Sequence, residues 1–105
     1  MCIEYFIDEN NNLLLNEIAP RVHNSGHLTI NTYNISQFEN HVRAVCDLEK
    51  IELKKNYNAE MINIIGEEIK TYRNKSYSKN QFFFDYLKTE IKEKRKMGHL
   101  TTIKS

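Results

Sequence analysis

Two short apolar runs, residues 2–7 (CIEYFI) and 13–18 (LLLNEI), flank the polar stretch Asp8–Asn12 (DENNN). β-Prone segments on either side of such a stretch predict an antiparallel hairpin, and asparagine tolerates the left-handed conformations its turn requires. Pro20 ends the second strand, because it has no N–H to give to a ladder. This feature is the strictest constraint on the chain. A two-stranded hairpin is marginal in water unless a third strand or a helix covers it. The next 14 residues, 21–34 (RVHNSGHLTINTYN), offer no strand and read as an irregular segment with a turn at Ser25-Gly26.

A helix follows. Ser36-Gln37-Phe38-Glu39 fits the capping-box pattern, in which Ser36 and Glu39 each satisfy a free backbone N–H. Phe38, Val42, Val45 and Cys46 then form one apolar stripe over Gln37–Asp47. Residues 49–58 (EKIELKKNYN) read as a linker. Beyond them come a buried-looking strand at 61–66 (MINIIG), a polar loop with a short helix at 67–81, a strand at 82–87 (FFFDYL), a charged connection at 88–96 (KTEIKEKRK) and a last strand at 97–103 (MGHLTTI). The expected fold class is α+β. A hairpin, loop and helix occupy residues 1–48, and a small, mainly antiparallel β unit occupies 59–105, joined by the linker.

Composition sets limits on function. The chain has 105 residues, about one small domain. Its 15 basic and 14 acidic residues leave a net charge of +1, so overall charge gives no reason to expect a nucleic-acid or membrane partner. No apolar run approaches the ~18 residues of a membrane span. Met1-Cys2-Ile3-Glu4 does not read as a signal peptide. Two cysteines, Cys2 and Cys46, make neither a disulfide framework nor a zinc set, which points to a reducing cytoplasm. The three glycines, Gly26, Gly66 and Gly98, are far apart, so no glycine-rich phosphate loop is present.

If the hairpin turns symmetrically about Asn10-Asn11, facing residues have numbers that sum to 21, and Glu4 faces Glu17. Opposed Cβ atoms are about 5 Å apart. Two carboxylates at that spacing repel by roughly 3 kcal/mol at an effective dielectric of ~20. A divalent cation would offset this, and magnesium is held by one or two carboxylates plus phosphate oxygens. The alternative is two glutamates on a wet face. Just beyond Pro20 lie Arg21, whose guanidinium fork suits an oxyanion, His23, which can move a proton near neutral pH, and Asn24. His23 and His27 have a zinc-like i,i+4 spacing, but Ser25-Gly26 between them argues against a rigid helical pair. Lys92, Lys94, Arg95 and Lys96 suggest a second reading, a non-enzymatic binding module with a basic loop at 88–96. Glu90 and Glu93 interrupt that run, and no aromatic stacking motif accompanies it.

The run Leu15-Asn16-Glu17-Ile18-Ala19-Pro20-Arg21-Val22-His23-Asn24-Ser25-Gly26-His27-Leu28-Thr29 resembles the active-site segment of the N5-carboxyaminoimidazole ribonucleotide synthases, ATP-grasp ligases of purine synthesis. Ser36–Val45, Met61–Gly66 and Arg95–Leu100 resemble later parts of the same family, in the same order. The resemblance implies a reaction in which ATP phosphorylates bicarbonate to carboxyphosphate, which carboxylates the amine of 5-aminoimidazole ribonucleotide. It implies Mg2+ on Glu4 and Glu17, nucleotide contacts from Asn16 and Glu17, catalytic and substrate roles for Arg21 and His23, and substrate contacts from Asn24, Lys88 and Arg95. It further implies a homodimer for the full enzyme. Whole members are several times longer, so the chain is expected to be a fragment or split-gene product that needs the remainder of the ligase, or else an inactive remnant. One departure is local: the family's Pro-Gly turn before the Arg-Lys pair is replaced by Glu93-Lys94.

Overall fold

The computed structural model describes residues 1–104, and the chain divides into two compact units, Met1–Lys55 and Asn56–Ser105. Both mix helices with antiparallel strands, an α+β arrangement.

In the first unit, β1 (Cys2–Ile7) and β2 (Leu13–Ala19) form the hairpin. Its five-residue turn is organised by Asp8. One Asp8 oxygen accepts from the backbone N–H of Asn10 and of Asn12, each at 2.8 Å, and the other accepts from the Asn12 amide at 2.9 Å. These bonds hold the Asp8 carboxyl below its ordinary pKa. Asn11 takes the left-handed conformation, with φ +62°. The symmetric turn expected from sequence holds for only half of the ladder. Cys2, Ile3 and Glu4 face Ala19, Ile18 and Glu17, but Tyr5, Phe6 and Ile7 face Leu15, Leu14 and Leu13. A β-bulge reconciles the two halves by leaving Asn16 as the extra residue on β2.

Residues 21–34 are less irregular than the sequence suggests. A 3-10 helix, Asn24–Leu28, runs directly into a single α turn, α1 (Thr29–Thr32). No apolar periodicity announces it, because hydrogen bonds rather than a buried face hold it. The helix α2 (Gln37–Val45) is capped by Ser36 Oγ, which accepts from Glu39 N at 3.2 Å. Glu39 does not complete a reciprocal box; its carboxylate takes Arg43 Nε at 3.0 Å, one turn along. The apolar stripe of α2 faces outward, with Val45 72% exposed. The segment read as a linker is partly docked. Asn34 and Lys54 exchange two hydrogen bonds, at 2.8 and 3.0 Å, and Tyr33 bridges Lys55.

In the second unit, β3 (Asn58–Ile65), β4 (Gln81–Asp85) and β5 (Lys96–Lys104) form a three-stranded antiparallel sheet with β5 in the centre. The helix α3 (Glu68–Arg73) brings Ile69 against Ile64, Met97 and Leu100, with Tyr72, Tyr77, Phe83 and Ile91 around them. A second bulge occurs here. Ile64 faces Gly98 and Ile65 faces Lys96, so Met97 is the extra residue and is fully buried. Gly66 ends β3 at φ +54°, and a Cβ there would lie 2.6 Å from the Glu93 carbonyl oxygen. Only glycine combines that conformation with so close an approach.

Candidate functional site

The bulge at Asn16 builds the first half of the site. Side chains of a regular strand alternate between faces, and an extra residue breaks that alternation. Asn16 and Glu17 therefore both reach the side of the hairpin occupied by Glu4. Asn16 Nδ2 donates to Glu4 Oε1 at 2.6 Å, and Glu17 is Glu4's partner in the ladder. The imidazole of His23 sits between the two carboxylates, with Nδ1 3.6 Å from Glu4 and Nε2 3.5 Å from Glu17. Arg21 Nη2 approaches Glu17 at 3.8 Å, while its Nη1 donates to the Val22 carbonyl at 2.9 Å.

His23 is held firmly, its side chain only 14% exposed. It is the N-cap of the 3-10 helix, with Nδ1 2.8 Å from Ser25 Oγ and accepting from Ser25 N. Its backbone N–H and carbonyl are both bound by Gln37. Gln37 Oε1 accepts from His23 N at 3.0 Å, and Gln37 Nε2 donates to His23 O at 2.7 Å. The same Nε2 lies 2.7 Å from His27 Nδ1, and the His27 ring stacks on Phe38 with centroids 5.2 Å apart. Gly26 leaves room for this clamp, since a Cβ there would collide with Gln37 Oε1. The His23 ring thus faces Glu4, Glu17 and Ser25, whereas the His27 ring faces Gln37 and Phe38. Gln37 is a positioning residue that sequence reasoning missed. Its partner lies 14 residues away, beyond the reach of any local pattern.

The structure thus brings Glu4, Asn16, Glu17, Arg21 and His23 into one cluster, with Asn24 opening the 3-10 helix beside them. A cleft of about 110 Å³ lies next to Arg21, lined also by Gln37, Asn40 and His41. Among the described residues, no three His, Cys, Asp or Glu side chains converge to hold a metal ion unaided. Two carboxylates that share one face, with oxygen ligands still to be added, are a donor set that suits magnesium.

Lys88 and Arg95 belong to the second unit, on the connection between β4 and β5. Lys88 Nζ donates to the Lys96 carbonyl at 2.7 Å and lies over the Tyr86 ring, 5.3 Å from its centroid. Arg95 Nη1 reaches the Glu90 carbonyl at 3.4 Å. Lys92 pairs with Glu90 at 3.2 Å, which reduces the basic character of this connection.

The family model for the ATP-grasp domain matches residues 1–38, and that for the phosphoribosylaminoimidazole carboxylase C-terminal domain matches residues 59–105. The N5-carboxyaminoimidazole ribonucleotide synthase of Bacillus subtilis (strain 168) is 44% identical over 107 residues, covering 99% of this chain and 28% of the relative. The chain matches the C-terminal portion of such synthases. The synthase of Staphylococcus aureus (strain COL) is 42% identical over 96% of this chain. The crystal structure of the Staphylococcus aureus synthetase complexed with ADP superposes with a TM-score of 0.87 at 38% identity, over 98% of this chain and 29% of that one. The Aspergillus clavatus synthase in complex with ADP and 5-aminoimidazole ribonucleotide gives 0.86 at 36% identity, over 97% and 29%. This chain spans less than a third of the length of these relatives. No helix among the described residues is long and apolar enough to cross a membrane.

Proposed function

We propose that this chain carries the metal- and anion-binding end of an ATP-dependent ligase that carboxylates the amine of 5-aminoimidazole ribonucleotide with bicarbonate, in cytoplasmic purine synthesis. The observation that carries the reading is the convergence of Glu4, Glu17, Arg21 and His23. Glu4 and Glu17 would hold Mg2+, with the Asn16 amide fixing the Glu4 carboxylate and lying near the nucleotide. Bound there, the ion would supply charge neutralisation for phosphate oxygens. Arg21 has five N–H donors, and its two contacts leave others for a bicarbonate or phosphorylated oxyanion. His23, fixed by Gln37 and Ser25, can hold or move a proton at Nε2 as the amine reacts. Asn24 adds a polar contact to the substrate. Lys88 and Arg95 would bind the dianionic phosphate of the ribonucleotide.

The remainder of the ligase is the expected partner. Large apolar side chains of the hairpin, Phe6 and Leu14 among them, are more than half exposed, and polypeptide packed there would bury them. The full enzyme is expected to be a homodimer that binds neither nucleic acid nor membrane.

The decisive experiment co-expresses the chain with a complementary ATP-grasp segment from a relative. It measures phosphate release that depends on 5-aminoimidazole ribonucleotide. Glu17→Gln is expected to lower turnover a hundredfold or more, the scale on which an electrostatic stabiliser of the transition state acts. Near-normal turnover of that variant would rule out the metal role. The 105 residues alone are expected to release no phosphate, since positioning of ATP is most of phosphoryl transfer and no glycine loop is present to provide it.

A further inference from the structure

We infer that Tyr86 is a positioning residue, which holds the Lys88 ammonium ready for an anionic group and is itself locked by His99. The inference rests on the proposed reading of Lys88 as a ligand of the ribonucleotide phosphate. A lysine carries its charge on a flexible four-carbon stem, so an anion must normally order that stem as it binds. Here the ordering is already in place. The ammonium lies over the Tyr86 ring at 5.3 Å, within the ~6 Å reach of a cation–π contact. One N–H is fixed on the Lys96 carbonyl at 2.7 Å, and the ammonium has two more to offer.

The ring cannot swing away. Tyr86 OH is 2.9 Å from His99 Nδ1, and His99 is fully buried in a parallel stack with Phe84, with centroids 5.4 Å apart and 2° between planes. The backbone is fixed as well. Tyr86 N donates to the Met97 carbonyl at 2.9 Å. Leu87 adopts φ +53°, a left-handed conformation that a leucine rarely takes. Asp85 closes that turn by accepting from Leu87 N at 2.8 Å, and Arg73 grips the Asp85 carboxylate through two bonds of 2.6 and 3.2 Å. Beyond Leu87 the Lys88 side chain returns to the Lys96 carbonyl and lies over the Tyr86 ring. The chain bears a strained residue at the step that aims the lysine, as functional sites often do.

The test uses the full 105-residue chain and two measurements. Proton NMR of the wild type is expected to show the Lys88 ε-methylene protons shifted upfield of the other lysines by the Tyr86 ring current. Titration of the chain co-expressed with the complementary ATP-grasp segment, using 5-aminoimidazole ribonucleotide, reads affinity. Lys88→Ala should weaken binding about tenfold or more. Tyr86→Leu should abolish the upfield shift and weaken binding ~2–5-fold, while Tyr86→Phe, which keeps the ring but loses its bond to His99, should recover only part of both. If Lys88→Ala weakens binding but Tyr86→Leu does not, the positioning role is overturned and the reading of Lys88 stands. If Lys88→Ala binds as wild type, or no binding is seen, the reading of Lys88 fails and the inference with it. Should Tyr86→Leu not fold, the wild-type spectrum decides alone: Lys88 protons at the usual lysine position overturn the proposal.

Discussion

The two units reach order by different means. The second encloses Ile64, Ile69, Met97 and Leu100 between its sheet and α3, so its own residues bury a core. The first buries only Ala19, Thr32 and Ile35 among its described residues, and leaves Phe6 59% and Val45 72% exposed. It is ordered instead by polar clamps: Asp8 in the turn, Gln37 on the His23 backbone, and Asn34 on Lys54. Hydrogen bonds exchanged with water contribute little net stability, so such a unit can be well shaped and still weakly held. Geometry for chemistry and stability of fold are thus separable properties, carried by different halves of one short chain.

The comparison can be broken most decisively in the second unit. Ile64→Ala is expected to cost about 2–5 kcal/mol, the usual loss for truncating a fully buried aliphatic side chain. A unit of 50 residues rarely holds more than ~3–5 kcal/mol in all, so urea titration should show it largely unfolded. In the first unit the sensitive position is polar. Gln37→Ala strips the His23 N–H of its partner and leaves the His23 carbonyl with Gly26 N alone, and should cost about 1–3 kcal/mol. Amide hydrogen exchange would register this as lost protection at His23, with the second unit unchanged. A smaller effect depends on acid. The Arg73 guanidinium holds the Asp85 carboxyl below its ordinary value of 3.8, so the folded state favours the ionised form. That contribution is complete above pH 3.8 and disappears as pH falls through the lower folded value. Thermal melts should show the second unit losing stability below about pH 4, and Asp85→Asn should flatten the slope there. The smallest effect is expected at Val45→Ala, within about 0.5 kcal/mol, because that side chain already faces out. A larger loss would mean that the first unit has a core the comparison denies it.

What sequence could reveal follows the same division. Strands with alternating or continuous apolar runs, and the helix capped by Ser36, were legible because their signals are local. The Glu4–Glu17 pairing was legible too, although its register is reached through a five-residue turn and a bulge rather than a symmetric turn. The two departures cancel at the glutamates. Residues 24–32 were illegible as helix because Gln37 and Thr29 hold them through contacts of 8 to 14 residues' separation. The apolar stripe of α2 was legible as a stripe, but its outward orientation was not, because periodicity identifies an apolar face and not what covers it. Asp85, Tyr86 and His99 carried no motif at all. Their connection exists only once β4 and β5 are paired.

The bulge at Asn16 also gives the hairpin a polarity as a template for assembly. Regular, flat strand edges invite other strands to pair with them, whereas a bulge adds twist and interrupts the row of backbone groups. At the Glu4–Glu17 end that interruption discourages strand addition and keeps the carboxylates accessible. Toward the turn the ladder from Tyr5 to Ile7 is regular and its side chains are apolar and exposed. Any strand that extends this sheet, whether from the same polypeptide or from another, therefore has its better docking edge at the end remote from the chemistry.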